Sequence, residues 1–326
     1  MKGKKNLITD VSGVKVGHKT LDNGSVKTGV TAILPQVGNM FKGKLIAACH
    51  VINGFGKSIG LVQIEELGTI ETPIILTNTL SVGTAHEALV KFMLESNNDI
   101  GKTTGTINPV ICECNDGELN DIRGLHVKGS DVFEALANCN EDFLQGNVGA
   151  GTGMITYGLK GGIGSASRVV TLDNKEYTLG ILVLSNFGSL EDFVYKNENI
   201  GQRIKEILDK KDETEDKGSI ITILATDIPL SSRQLKRVIK RIQSGIARTG
   251  SYTGNGSGEV CIGFSTGNYI KHYEDKDIIS INTINENKLN KVFKVTVEAT
   301  EEPQRGPSSS VYSRQPSDSA SSTMLR

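Results

Sequence analysis

The chain has 326 residues, 37% of them apolar and 22% charged, with a formal net charge of −1. That length supports one large domain or two ordinary ones around a sizeable core, and the near-neutral balance argues against nucleic acid or an acidic membrane surface as the main partner. No apolar run reaches the ~18 residues of a membrane span, and the start MKGKKNLITDVSG lacks the apolar stretch of a secretory signal, so the expected compartment is the cytoplasm.

Apolar runs alternate with Gly- and Asn-rich turns along the chain. The strand candidates are GVTAILP (29–35), KLIAACHVI (44–52), TPIILTN (72–78), GLHV (124–127), YTLGILVLSNFG (177–188), SIITILATDIPL (219–230), EVCIGFST (259–266) and DIISINTI (277–284). Helical periodicity appears at 83–95, 131–138 and 198–208, and most clearly at 232–247. There Ser231 and Gln234 have the spacing of a capping box, Leu235, Val238, Ile239, Ile242 and Ile246 form an apolar stripe, and Arg233, Lys236, Arg237, Lys240 and Arg241 form a solvated face. No internal repeat is visible. The mixed order predicts α/β layers in one domain over 1–300, divided by a charged loop. From Glu301 onward the chain turns to Ser, Pro, Gln and Arg, the composition of a disordered or foreign tail (301–326).

Five scattered cysteines form no disulfide framework and fit a reducing compartment. Cys112-Glu113-Cys114 carries ligand-type residues, but without a second pair it reads as a strand with both cysteines packed on one side. The five histidines form no HxxxH or HxH pair, so no metal is expected.

Residues 209–230, DKKDETEDKGSIITILATDIPL, hold the sharpest signal. A solvated charged run ends at Gly218, and Ser219 opens IITILA, five of whose six residues are apolar. One reading is a linker before an ordinary strand, with Ser219 capping a turn. The other is self-cleavage that leaves Ser219 at the head of a core strand. Its α-amine would then titrate near pH ~7.7–8.0 and could act as general base without a histidine.

Three further segments resemble site material. SNFG (185–188) ends a strand candidate, where Asn186 either starts a turn or aims its amide at an oxyanion. GSYTGNGSGEVCIGFST (250–266) places Ser257 and Glu259 two residues apart on one strand face, either in an exposed hairpin or where they relay a proton toward Ser219 or orient its amine. GAGTGM (149–154) and KGGIGSASR (160–168) look like phosphate-cradling loops but lack the dinucleotide spacing. Close packing or substrate lining suits them better than a nucleotide site.

Taken together, ITDVSGVKVGH (8–18), LTNTLSVG (76–83), NDGELNDI (115–122), GNVGAGTGM (146–154), KGGIGSASR, SNFG, GSIITILATDIPL (218–230), ARTGSYTGNGSGE (247–259) and EATEE (298–302) resemble the DmpA-like peptidases. These are self-processing N-terminal serine hydrolases, the L-aminopeptidase/D-esterases and β-peptidyl aminopeptidases. The segments follow the family's order over about 300 residues. The resemblance implies a four-layer αββα sandwich similar to N-terminal-nucleophile hydrolases but connected differently, cut between Gly218 and Ser219 into chains 1–218 and 219–326. It implies Ser219 as nucleophile, Ser257 and Glu259 assisting, the Asn186 amide in the oxyanion hole, Glu113 meeting the substrate's amino group, no cofactor, and tetramers of the cleaved pair. Two departures stand out. Asn115 occupies a place where some relatives carry tyrosine, and Pro303 interrupts the final helix.

The expected activity is removal of N-terminal residues from short peptides, amides or esters through an acyl-enzyme on Ser219. An acyltransferase using the same acyl-enzyme is the rival within enzymes. A binding protein with an ordinary flexible loop at 209–219 is the rival from another class.

Overall fold

The computed structural model describes residues 1–207 and 218–304. Strands β1 (Lys15–Asn23), β2 (Val26–Leu34) and β3 (Gly43–Gly54) are followed by helix α1 (Leu61–Leu67) and the short β4 (Thr69–Ile70). Next come β5 (Ile74–Asn78), α2 (Val82–Glu95), β6 (Val110–Cys114) and α3 (Gly129–Ala137). A small hairpin, β7 (Ile155–Thr156) and β8 (Leu159–Lys160), precedes the long antiparallel pair β9 (Gly162–Leu172) and β10 (Lys175–Asn186). A second hairpin, β11 (Val194–Tyr195) and β12 (Glu198–Asn199), runs into α4 (Ile200–Ile207). The chain resumes with β13 (Ser219–Thr226), α5 (Ser232–Ile239), α6 (Ile242–Ala247), β14 (Gly258–Lys271) and α7 (Leu289–Gln304). Most of the charged run before Gly218 lies outside the described residues.

These strands build a four-stranded sheet, β1-β2-β5-β6, and a six-stranded sheet, β4-β3-β14-β13-β10-β9. Side chains alternate faces along each strand, so both sheets bury two faces. Leu76 and Cys112 of the smaller sheet meet Leu184, Ile221, Ile223 and Val260 of the larger in an inter-sheet core. The larger sheet's other face, with Val183, Ile220, Leu224 and Cys261, packs under Leu235 and Val238 of α5 and Val292 of α7. The smaller sheet's outer face carries Ala32, Ile75 and Ile111 beneath Leu89 of α2 and Val132 of α3. Helix, sheet, sheet, helix is the expected sandwich. No helix among the described residues is long and apolar enough to cross a membrane.

Four sequence expectations change. GLHV is no strand: Ile122–Gly124 form a 3-10 turn and Leu125 is left-handed at φ 48°. DIISINTI forms no strand either: residues 277–284 are irregular, and Ile278, Ile279 and Ile281 are exposed. The helix expected over 232–247 is two helices. Arg241 N–H donates to Val238 O in a tightened turn, so the stripe residues of both halves reach one core. The Ser231–Gln234 capping box is present. Finally, order continues past 301. Arg168 Nη2 binds Glu302 Oε2 at 2.7 Å, Asn6 Nδ2 binds Glu302 Oε1 at 3.0 Å, and Pro303 is buried in the last turn of a docked α7. Residues 305–326 lie outside the described residues.

Candidate active site

Strand pairing assembles the site. β13 sits between β10 and β14, and its first residue, Ser219, lies opposite Asn186 in the antiparallel register and beside Gly258 in the parallel one. Two residues 33 positions before and 39 after Ser219 therefore reach it by ladder geometry alone. Ser219 is 5% exposed. It alternates with Ile220, so it shares the inter-sheet side with Ile221 and Ile223. Among the described residues its hydroxyl makes no hydrogen bond.

Asn186 is clamped at both ends of its amide. Nδ2 donates to Asn115 O at 2.9 Å, and Oδ1 accepts from Ile155 N at 2.8 Å. One amide hydrogen is used on Asn115, and the second is the one an oxyanion would take. This corrects the bare Asn-turn reading, since Asn186 is the last residue of a strand and its side chain bridges two loops. Asn115 contributes its carbonyl whatever its side chain. Its Oδ1 turns back to accept from Gly117 N at 2.9 Å, so the clamp draws only on the main chain of residue 115.

Ser257 and Glu259 are both fully buried, not parts of an exposed hairpin. Ser257 Oγ donates to Glu259 Oε1 and Thr253 Oγ1 to Oε2, each at 3.0 Å. Glu259 raises the Cys261 thiol pKa further, second to burial, and Cys261 belongs to the helix-side core. The carboxylate thus issues from the opposite strand face to the Ser219 side chain.

Gly218 is dictated by space. Its φ is not left-handed, but a Cβ there would stand 2.1 Å from Asn186 O and 2.4 Å from Phe187 Cα. The position is a gap that only glycine fits.

Glu113 faces away from Cys112 and Cys114, which pack in the inter-sheet core. Burial pushes the Cys112 thiol up to about 12, so it is no thiolate ligand at neutral pH. The Glu113 carboxylate accepts from Lys57 N at 2.9 Å and from the Thr79 hydroxyl. A methyl group at Gly56 would lie 3.5 Å from Glu113 Oε1 and 3.8 Å from Gly258 Cα, so the carboxylate and the start of β14 face each other across Gly56. The sequence reading missed Thr79, Thr253 and the Lys57 and Ile155 amides. Only the two threonines, inside quoted segments, left any trace in the sequence.

The four-layer architecture places the chain in a class by fold, that of the Ntn hydrolase-like proteins. A model of Peptidase family S58 matches residues 6–303, and the chain belongs to that family of serine peptidases. It is 37% identical over 322 residues to a beta-peptidyl aminopeptidase of Sphingosinicella microcystinivorans, covering 92% of this chain and 80% of the relative. A solved Pyrococcus horikoshii protein matches with a TM-score of 0.88 at 53% identity, covering 93% of this chain and 86% of that one. The L-aminopeptidase D-Ala-esterase/amidase of Ochrobactrum anthropi, described as a variant of the Ntn hydrolase fold, matches with a TM-score of 0.87 at 37% identity, covering 94% and 86%.

Proposed function

We propose that this peptidase is an aminopeptidase and amidase that removes the N-terminal residue of short peptides, amides or esters, after cutting itself between Gly218 and Ser219. The supporting observation is the register that sets Asn186, Ser219 and Gly258 side by side on three adjacent strands. In self-cleavage the Ser219 hydroxyl adds to the Gly218 carbonyl, the C–N bond breaks, and the freed amine takes the hydroxyl proton. Water then hydrolyses the ester, leaving the Gly218 carboxylate and a free Ser219.

In turnover the Ser219 α-amine accepts the proton from Oγ as Oγ attacks the substrate carbonyl. The second Asn186 amide hydrogen binds the developing oxyanion. The leaving amine takes the proton, and water releases the acyl group. Glu113 holds the substrate's ammonium, which selects for a free N-terminus. Glu259, on the strand face opposite the Ser219 side chain, is assigned to the α-amine and not to a direct relay to the hydroxyl. A denaturing gel and N-terminal sequencing test this: two fragments, the smaller beginning Ser-Ile-Ile-Thr, with Ser219→Ala uncut and inactive on an aminoacyl p-nitroanilide. A wild-type chain that stays whole yet hydrolyses this substrate refutes it.

A further inference from the structure

The Gly-rich segment 149–154 and hairpin β7–β8 line the wall behind Asn186. The segment is no anion cradle, because its amides are already used: Gly149 N donates to Thr20 Oγ1 at 2.8 Å and Ala150 N to Thr31 Oγ1 at 3.1 Å. Its carbonyls instead enclose a cation. Lys160 Nζ donates to Gly151 O and Met154 O at 2.9 Å and to Gly161 O at 2.8 Å. The hairpin is tied to the end of β10 at three successive residues. Thr156 Oγ1 bonds Ser185 Oγ, Ile155 N donates to Asn186 Oδ1, and Tyr157 N donates to Phe187 O, all at 2.8 Å.

Met154 O and Ile155 N belong to one peptide unit. Lys160 therefore grips one end of the peptide whose other end holds Asn186. We propose that Lys160 is a positioning residue for the oxyanion donor, fixing and polarising the Met154–Ile155 peptide that in turn fixes and polarises the Asn186 amide. The chain runs from ammonium to carbonyl, through the peptide N–H to Oδ1, and out through Nδ2–H. Each link draws electron density toward the cation, and hydrogen bonds in series strengthen one another. This rests on the oxyanion role assigned to Asn186 above.

A double-mutant cycle in the self-cleaved enzyme tests it. Lys160→Met should lower kcat about 10-fold with KM within about 2-fold, less than the ~10²–10³ expected on removing the donor itself by Asn186→Ala. Lys160→Gln, which keeps a donor but loses the charge, should lose kcat similarly, and Lys160→Arg should recover part of it. In the Asn186→Ala background, Lys160→Met should cost less than 2-fold more, because its route to the oxyanion is already cut. Full kcat in both Lys160→Met and Lys160→Gln overturns the proposal. So does an equal loss with and without Asn186, or a loss of folded protein in both variants, which would make Lys160 a general stabiliser. A different result, unaltered kcat in Asn186→Ala alone, removes the oxyanion reading itself.

Discussion

Adding one methyl group at Gly218 should stall self-cleavage while leaving the fold standing. The new Cβ would meet Asn186 O at 2.1 Å and Phe187 Cα at 2.4 Å, backbone atoms that cannot rotate aside as a side chain could. Reaching ordinary contact, 3.4 Å or more, requires the residue 218 peptide to move by over an ångström. That peptide carries the carbonyl proposed above to be cut, whose oxygen accepts from Gly258 N at 3.2 Å. A shift of about 1 Å in a reacting group can cost 10²-fold in rate. The overpacking itself costs about 1–3 kcal/mol, within what a folded domain tolerates. Gly218→Ala should therefore give a folded, full-length chain that yields its two fragments about 10²-fold more slowly, followed by timed samples on a denaturing gel. Cleavage at the wild-type rate would refute the claim that crowding at 218 aligns the scissile bond.

Other substitutions probe the amine and the last helix. Glu259→Gln should move the rising limb of kcat/KM to lower pH. A carboxylate near the Ser219 amine stabilises its charged form and raises its pKa, so removing the charge lets the amine work earlier. Profiles that coincide would exclude Glu259 from the site. Burial would raise the Glu302 carboxyl, but Lys2, Arg168 and Asn6 overcome it and hold its pKa below the usual carboxylate value. A depressed folded pKa gives stability that is present above the unfolded value near ~4.3 and is lost as pH falls through the folded one. Glu302→Gln should thus cost about 1 kcal/mol, a drop in Tm of about 1.5 °C at pH 7, and the gap should narrow as pH falls below the unfolded value. A gap unchanged down to pH 3 would mean the carboxylate's charge contributes nothing.

How much of this the sequence carried depends on the distance over which each feature is decided. The Ser231 cap, the stripe from Leu235 to Ile246 and the β-branched run after Ser219 are local, and each appears where local chemistry places it. DIISINTI carries four isoleucines in eight residues, but pairing needs a neighbouring strand edge, and three of those isoleucines stay exposed. No local pattern reports that. The site divides the same way. Asn186, Ser257 and Glu259 stood out as residue types in suggestive settings, whereas the Ile155 and Lys57 amides act through the backbone and every residue but proline carries one. Lys160 was read only as the first letter of a Gly-rich loop.

The order of strands in the larger sheet bears on what a cut before Ser219 would do. β13 and β14 lie at its centre, while β3 and β4 on one flank and β9 and β10 on the other come from before the cut. The two products would be threaded through a single sheet, each completing the other's ladders. Neither could drift away without stripping hydrogen bonds on both flanks and opening two cores. A cleaved molecule should melt in one transition, as a whole chain does, and its halves should part only in denaturant. Made separately, each half would present unpaired strand edges, the surface that drives aggregation. Continuity through residue 218 therefore matters while the sheet is being built, and very little afterwards.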